Sequence, residues 1–176
     1  MRRTVCPLLA CVTLLSTALI GQNKAPVTAD SSQASLPSDP IRRLDEFHKR
    51  AYEALHAEQE RAKQPLCPKA LNTLAINQCI SQEFGMTDRN YTTEITALSA
   101  LLGVLRDLPR GSVATTSFDE AEATWHTYRE QACNAFAGPA NEAGTSRASL
   151  YGSCLITTTR YHMNALGDLY TDAGMH

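Results

Sequence analysis

Trp125-His126-Thr127-Tyr128-Arg129-Glu130-Gln131-Ala132-Cys133 and, past a run of small residues, Cys154-Leu155-Ile156-Thr157-Thr158-Thr159-Arg160 decide how this chain folds. Trp125, Tyr128, Ala132 and Phe136 recur at helical spacing, as do Tyr151, Leu155, Thr158, His162, Leu166 and Leu169. Two apolar-striped helices therefore flank one loop, Gly138-Pro139-Ala140-Asn141-Glu142-Ala143-Gly144-Thr145-Ser146. In an antiparallel helix pair, residues equidistant from the turn face each other. Cys133 and Cys154 are centred between Ala143 and Gly144, near the loop tip. The spacing predicts an αα-hairpin clamped by a Cys133–Cys154 disulfide.

Working outward, the N-terminus sets the compartment. Arg2 and Arg3 precede an apolar run from Val5 to Ile20, with no acidic residue before Asp30, the layout of a secretory signal peptide. The run is short for a transmembrane span. Val27-Thr28-Ala29 offers small residues for cleavage before Asp30, giving a signal peptide over 1–29 and a mature chain of about 147 residues. Leu8-Leu9-Ala10-Cys11 leaves too stunted an apolar core before Cys11 for a lipoprotein signal, so lipid anchoring is not expected. The expected location is periplasmic or secreted.

Cys67, Cys79, Cys133 and Cys154 then remain, an even set in a chain bound for an oxidising space. With Cys133 joined to Cys154, Cys67 is left for Cys79. Twelve residues of continuous helix would hold those two about 18 Å apart, against the roughly 5.5 Å that a disulfide spans. Cys67 must lie in a loop, Gln64-Pro65-Leu66-Cys67-Pro68, folded back along a helix that begins near Thr73. The spacings of zinc sites, Cys-x2-Cys, His-x3-His and His-Glu-x2-His, do not occur, and no metal or cofactor is expected.

Without Arg2, Arg3 and Lys24, the 16 basic residues fall to 13 against 18 acidic ones, a formal charge of −5. That balance argues against nucleic acid or an anionic membrane as partner. Residues 30–38, rich in Ser, Ala and Pro, read as a flexible linker. Asp39 can cap and Pro40 open a first helix with Ile41, Leu44, Phe47, Ala51 and Leu55 on one face, fading by Lys63. A second helix runs from Thr73 toward Phe84, with an interruption expected at Gly85 and a restart at Thr87 or Asp88. Tyr91, Ile95, Leu98, Leu102 and Leu105 form its packing seam, and Pro109-Arg110-Gly111 ends it. Ser117-x2-Glu120 reads as the capping box of the Trp125 helix, with Asp119 and Glu122 serving the helix dipole. The fold class is all-α, a small helical bundle with an αα-hairpin stapled by two disulfides.

The order Cys67-x11-Cys79, Trp125-x2-Tyr128-Arg129-x3-Cys133, Gly144-Thr145, Cys154 and Thr157-x2-Arg160 resembles the N-terminal domain of the lysozyme inhibitor LprI family, small exported bacterial helical proteins. The Trp-Tyr-Arg-Cys segment is the most specific part, and Ala75-Ile76-Asn77-Gln78-Cys79 supports it. The resemblance implies an LprI-like domain over 67–170, with 39–66 an additional N-terminal helix and 171–176 a C-terminal tail. It implies a protein partner, a lysozyme-type muramidase, inhibited by binding. The motif residues Trp125, Tyr128, Arg129, Gly144, Thr157 and Arg160 read as structural: the aromatics as core packing, the arginines as ties between helices. His126 and His162 read as surface or packing residues.

Catalysis is not expected, since no Gly-x-Ser-x-Gly, zinc motif or phosphate loop is present. An inhibitor must instead place a rigid protrusion in a cleft holding two catalytic carboxylates. The clamped loop offers Asn141, Thr145, Ser146 and Arg147 as donors. The alternative reading is a non-catalytic structural or accessory envelope protein with another partner.

Overall fold

The computed structural model describes residues 38–109, 115–139 and 146–172. The expected signal peptide and nearly all of the linker lie outside the described residues. The first helix, α1, spans Pro40–Ala62. Asp39 accepts the Ile41 backbone N–H at 3.1 Å, and Pro40, which lacks a donor, takes the first helical position. Phe47, Ala51, Ala54, Leu55 and Glu58 form its buried face, while Ile41 in the first turn stays exposed.

After α1 the chain turns at Cys67, which adopts the left-handed conformation (φ 55°), and Ala70 N–H closes the turn on the Cys67 carbonyl at 3.1 Å. This fold-back sets Cys67 against Cys79, Cα to Cα 5.8 Å, in a disulfide. Asn72 caps the next helix by accepting Ala75 N–H at 2.9 Å. That helix, α2, runs unbroken over Thr73–Asp107. The expected interruption at Gly85 is overturned. One helical glycine costs about 1 kcal/mol, and α2 is held to α1 on both sides of it, through Arg61–Glu83 and Thr87–Glu58.

Helix α3 spans Thr115–Ala137 and α4 spans Arg147–Leu166, which passes into a π-helical turn over Gly167–Asp172. Because α3 is already helical at Thr115, Ser117 sits inside the first turn rather than capping it, which corrects the capping-box expectation. Gly138, with φ 71°, ends α3 in the left-handed geometry that suits glycine.

Contacts fix the topology. Glu58 with Thr87 and Arg61 with Glu83 make α1 and α2 antiparallel. Cys133 with Cys154 and Glu122 with His162 make α3 and α4 antiparallel, the expected hairpin. Gly152 of α4 meets Ile80 of α2 so closely that an added Cβ would lie 2.4 Å from the Ile80 Cγ2. Met163 packs beside Tyr91 further along, so α4 runs parallel to α2. At one end Phe47, Ala51, Leu98, Leu101, Leu102, Phe118 and Leu166 form an apolar core. Burying each large side chain there contributes roughly 1.5–3 kcal/mol. Toward the middle a smaller cluster of Leu55, Tyr91 and Met163 gives way to polar residues. The helix over residues 40–62, expected as an addition, belongs to the same compact unit as the rest.

Candidate functional site

The hairpin's buried face does not follow the Trp125-Tyr128-Phe136 stripe. Phe118, Glu122, Arg129, Cys133 and Ala137 point inward and Trp125 is half-buried, whereas Tyr128 and Phe136 are 66% and 65% exposed. The reading of Tyr128 as core packing is therefore overturned. The helix presents Arg129, its neighbour, to the interior, and about a hundred degrees of rotation carries Tyr128 out. Leu169 is also exposed, since the chain widens into the π-helical turn before it.

Arg129 is the largest fully buried side chain. It donates to Thr159 Oγ1 of α4 at 2.9 Å and to Glu130 Oε1 at 3.0 Å, and lies 2.9 Å from His126 Nε2. Its guanidinium lies 5.2 Å from the Trp125 ring centroid and 5.8 Å from that of Phe84, within cation–π range. Beside it, Trp125 stacks on His162 at 3.8 Å with the planes 10° apart. His162 Nε2 and the Tyr91 hydroxyl both meet the Glu122 carboxylate, at 2.9 Å each. Glu122 thus ties three helices rather than serving the α3 dipole, and Asp119 accepts from Ser99 of α2 at 2.9 Å. Burial, then the Glu122 charge, pushes the Tyr91 phenol well above its ordinary range.

A second polar cluster centres on Glu58 of α1, only 2% exposed. Its carboxylate accepts from Thr87 at 2.7 Å, Asn90 at 2.8 Å and Arg160 Nε at 2.7 Å. Arg160 thus ties α4 to α1, and Arg129 ties α3 to α4. Glu94 of α2 is wholly buried, and neither of its oxygens has a hydrogen-bond partner. Burial, reinforced by the Glu122 charge, pushes its carboxyl up to about 8, so it is mostly neutral at pH 7.

Sequence reasoning passed over Glu58, Glu94 and Thr159. Each falls on an apolar stripe, Glu58 one step beyond Leu55, Glu94 between Tyr91 and Leu98, Thr159 between Leu155 and Met163. A polar residue at a core position is the signal that could have found them.

At the loop end, Cys133 and Cys154 are bonded with Cα atoms 5.5 Å apart. Arg147 does not project from the loop. It donates from Nε to the Gly138 carbonyl at 3.0 Å and from Nη2 to Asn134 Oδ1 at 2.9 Å, satisfying the end of α3. Tyr151 hydrogen-bonds to Glu130 across the hairpin. Burial opposes the Glu130 charge, yet the bonds from Tyr151 and Arg129 outweigh it and hold that carboxyl below its usual range. Ser146 is exposed at the start of α4, and Thr157 is exposed further along it. Asn141, Gly144 and Thr145 lie outside the described residues.

A family model for lysozyme inhibitor LprI matches residues 67–166. The chain belongs to the lysozyme inhibitor LprI family. The match takes in both disulfides, α2, α3 and α4, and it excludes α1, so Arg160 within the LprI region finds its carboxylate on a helix outside it. No curated protein and no solved structure matches the chain. Among the described residues, no helix is long and apolar enough to cross a membrane.

Proposed function

We propose that this protein is exported to the periplasm or beyond and inhibits a lysozyme-type muramidase by binding it, without catalysis of its own. The observation that carries this reading is the family match, which spans the whole disulfide-stapled part of the chain. Export is supported by the basic start, the apolar run from Val5 to Ile20 and the paired cysteines. Binding rather than chemistry is supported by the acids of the interior. Glu58 and Glu122 are bonded between helices and Glu94 is wholly buried, so none faces a substrate.

A rigid hairpin held at its loop end by Cys133–Cys154 loses little freedom on binding, which favours occlusion of a cleft. The net negative charge steers it toward a basic enzyme. With Arg147 engaged at the end of α3, the loop's share of the contact falls to the short polar side chains of Asn141, Thr145 and Ser146. The test is lysis of cell-wall substrate by a basic lysozyme with mature protein added. Inhibition accompanied by complex formation is expected. Undiminished lysis with no complex would favour an accessory envelope protein with another partner.

A further inference from the structure

We infer that the muramidase is gripped by the outer face of the α3–α4 hairpin, centred on Tyr128 and Tyr161. This rests on the inhibitory reading above and says where the enzyme sits. Tyr128, Phe136 and Tyr161 are 66%, 65% and 74% exposed, and Leu150 is 40% exposed. On α3, Tyr128 and Phe136 are separated by about two helical turns. On α4, Leu150, Cys154, Thr157 and Tyr161 follow one another at helical spacing. Phe136 and the α4 residues Ser153, Cys154, Thr157 and Thr158 line one groove of about 250 Å³ between the helices, so Phe136 of the first row borders the middle of the second.

Three observations point to a basic protein as the occupant. First, the rows carry no charged residue, the composition of an interface centre, where aromatic side chains are enriched and charges depleted. Second, among the described residues the formally charged side chains of α3 and α4 that are exposed are Asp119 and Glu120, both acidic, while Arg129, Arg147 and Arg160 are buried or half-buried in internal bonds. An uncharged contact on a hairpin whose exposed formal charges are acidic complements a cationic enzyme. Third, the motif divides. Arg129 and Cys133 are buried, Arg160 is bonded to Glu58 and Trp125 is stacked on His162, whereas Tyr128 and Thr157 make no side-chain hydrogen bond or ring contact among the described residues. Beneath the groove the disulfide fixes the spacing of the two rows, so the face is pre-organised.

The experiment measures binding of mature protein to a basic lysozyme by calorimetry, alongside inhibition of lysis. The Tyr128→Ser/Tyr161→Ser double variant should melt as the wild type does and lose at least about thirtyfold in affinity, because both rings are already in water and aromatic anchors dominate such contacts. Glu120→Lys should slow association several-fold at low salt and leave dissociation nearly unchanged. Tyr52→Ser, at an exposed tyrosine of α1, should bind as the wild type does. Wild-type binding with an unchanged double variant would overturn this surface while leaving the inhibitory reading in place. Absence of wild-type binding would remove both. A double variant that turns a dimer into a monomer without losing affinity for lysozyme would assign the face to a second copy of this chain and overturn the proposal.

Discussion

Arg160 of α4 reaches Glu58 of α1 at 2.7 Å, across more than half the length of the chain, and both side chains are largely out of water. A pair placed so deep costs desolvation energy and does not by itself guarantee stability, but breaking it leaves a charge with no partner. The lysozyme inhibitor LprI match begins at Cys67, yet the carboxylate that neutralises its arginine comes from α1, so the helix outside the match completes the folded unit.

Glu58→Ala should destabilise the fold by about 3–5 kcal/mol, because Thr87, Asn90 and Arg160 lose their common acceptor together. Urea unfolding followed by circular dichroism checks it. A chain beginning at Gln64 should lack a cooperative transition for the same reason. Wild-type stability in either variant contradicts the role given to α1.

Glu94 predicts a pH dependence with a definite sign. The unfolded carboxyl titrates near its ordinary 4.5 and the folded one at about 8. Below 4.5 both states are protonated and there is no penalty. Between the two values the unfolded state gives up its proton first, so this residue lowers stability as pH rises, with the full penalty in place above 8. Every tenfold difference in proton affinity between the folded and unfolded carboxyl is worth about 1.4 kcal/mol, so Glu94→Gln should gain about 2–4 kcal/mol at about pH 8.5 and little at about pH 4. Equal gains at both pH values would show that Glu94 is not held neutral by the fold.

Gly152→Ala should cost about 1–3 kcal/mol by overpacking, since the new methyl would collide with the Ile80 Cγ2 where α4 crosses α2. Combining it with Ile80→Ala, which deletes that methyl, should cost less than the two single changes added together. Strict additivity in thermal melts would mean that the helices do not meet there.

Trp125 and Tyr128 should separate cleanly. Trp125→Ala removes the ring that stacks on His162 and covers Arg129, and should cost about 2–4 kcal/mol. Tyr128→Ala should stay within about 0.5 kcal/mol of wild type, as an exposed side chain without contacts does. Comparable losses at both positions would return Tyr128 to the core.

The hairpin, both disulfides, the Asp39 cap and the start of α2 were legible in the sequence, because each follows from spacing or from local backbone chemistry. The face of α3 was not. Periodicity locates a stripe by apolar side chains, and here Glu122, Arg129, Thr159, Glu58 and Glu94 occupy interior positions, most of them through partners supplied by other helices. Such pairings depend on tertiary contact and leave no periodic signal, so the stripe was drawn one residue off and Tyr128 was assigned inward. Arg147 illustrates the same limit. Its place at the start of a helix suggested a free donor, whereas the Gly138 carbonyl and Asn134, only a loop away, already hold it.

The most direct test of the central claim, inhibition by binding, is a titration of lysozyme activity on a soluble cell-wall oligosaccharide with the mature protein. Activity should fall to zero at about one protein per enzyme, independently of incubation time, and return on dilution. Progressive loss at a small fraction of the enzyme concentration would reveal catalytic inactivation, and full activity at excess protein would show that no inhibitory complex forms. Either result would contradict this account.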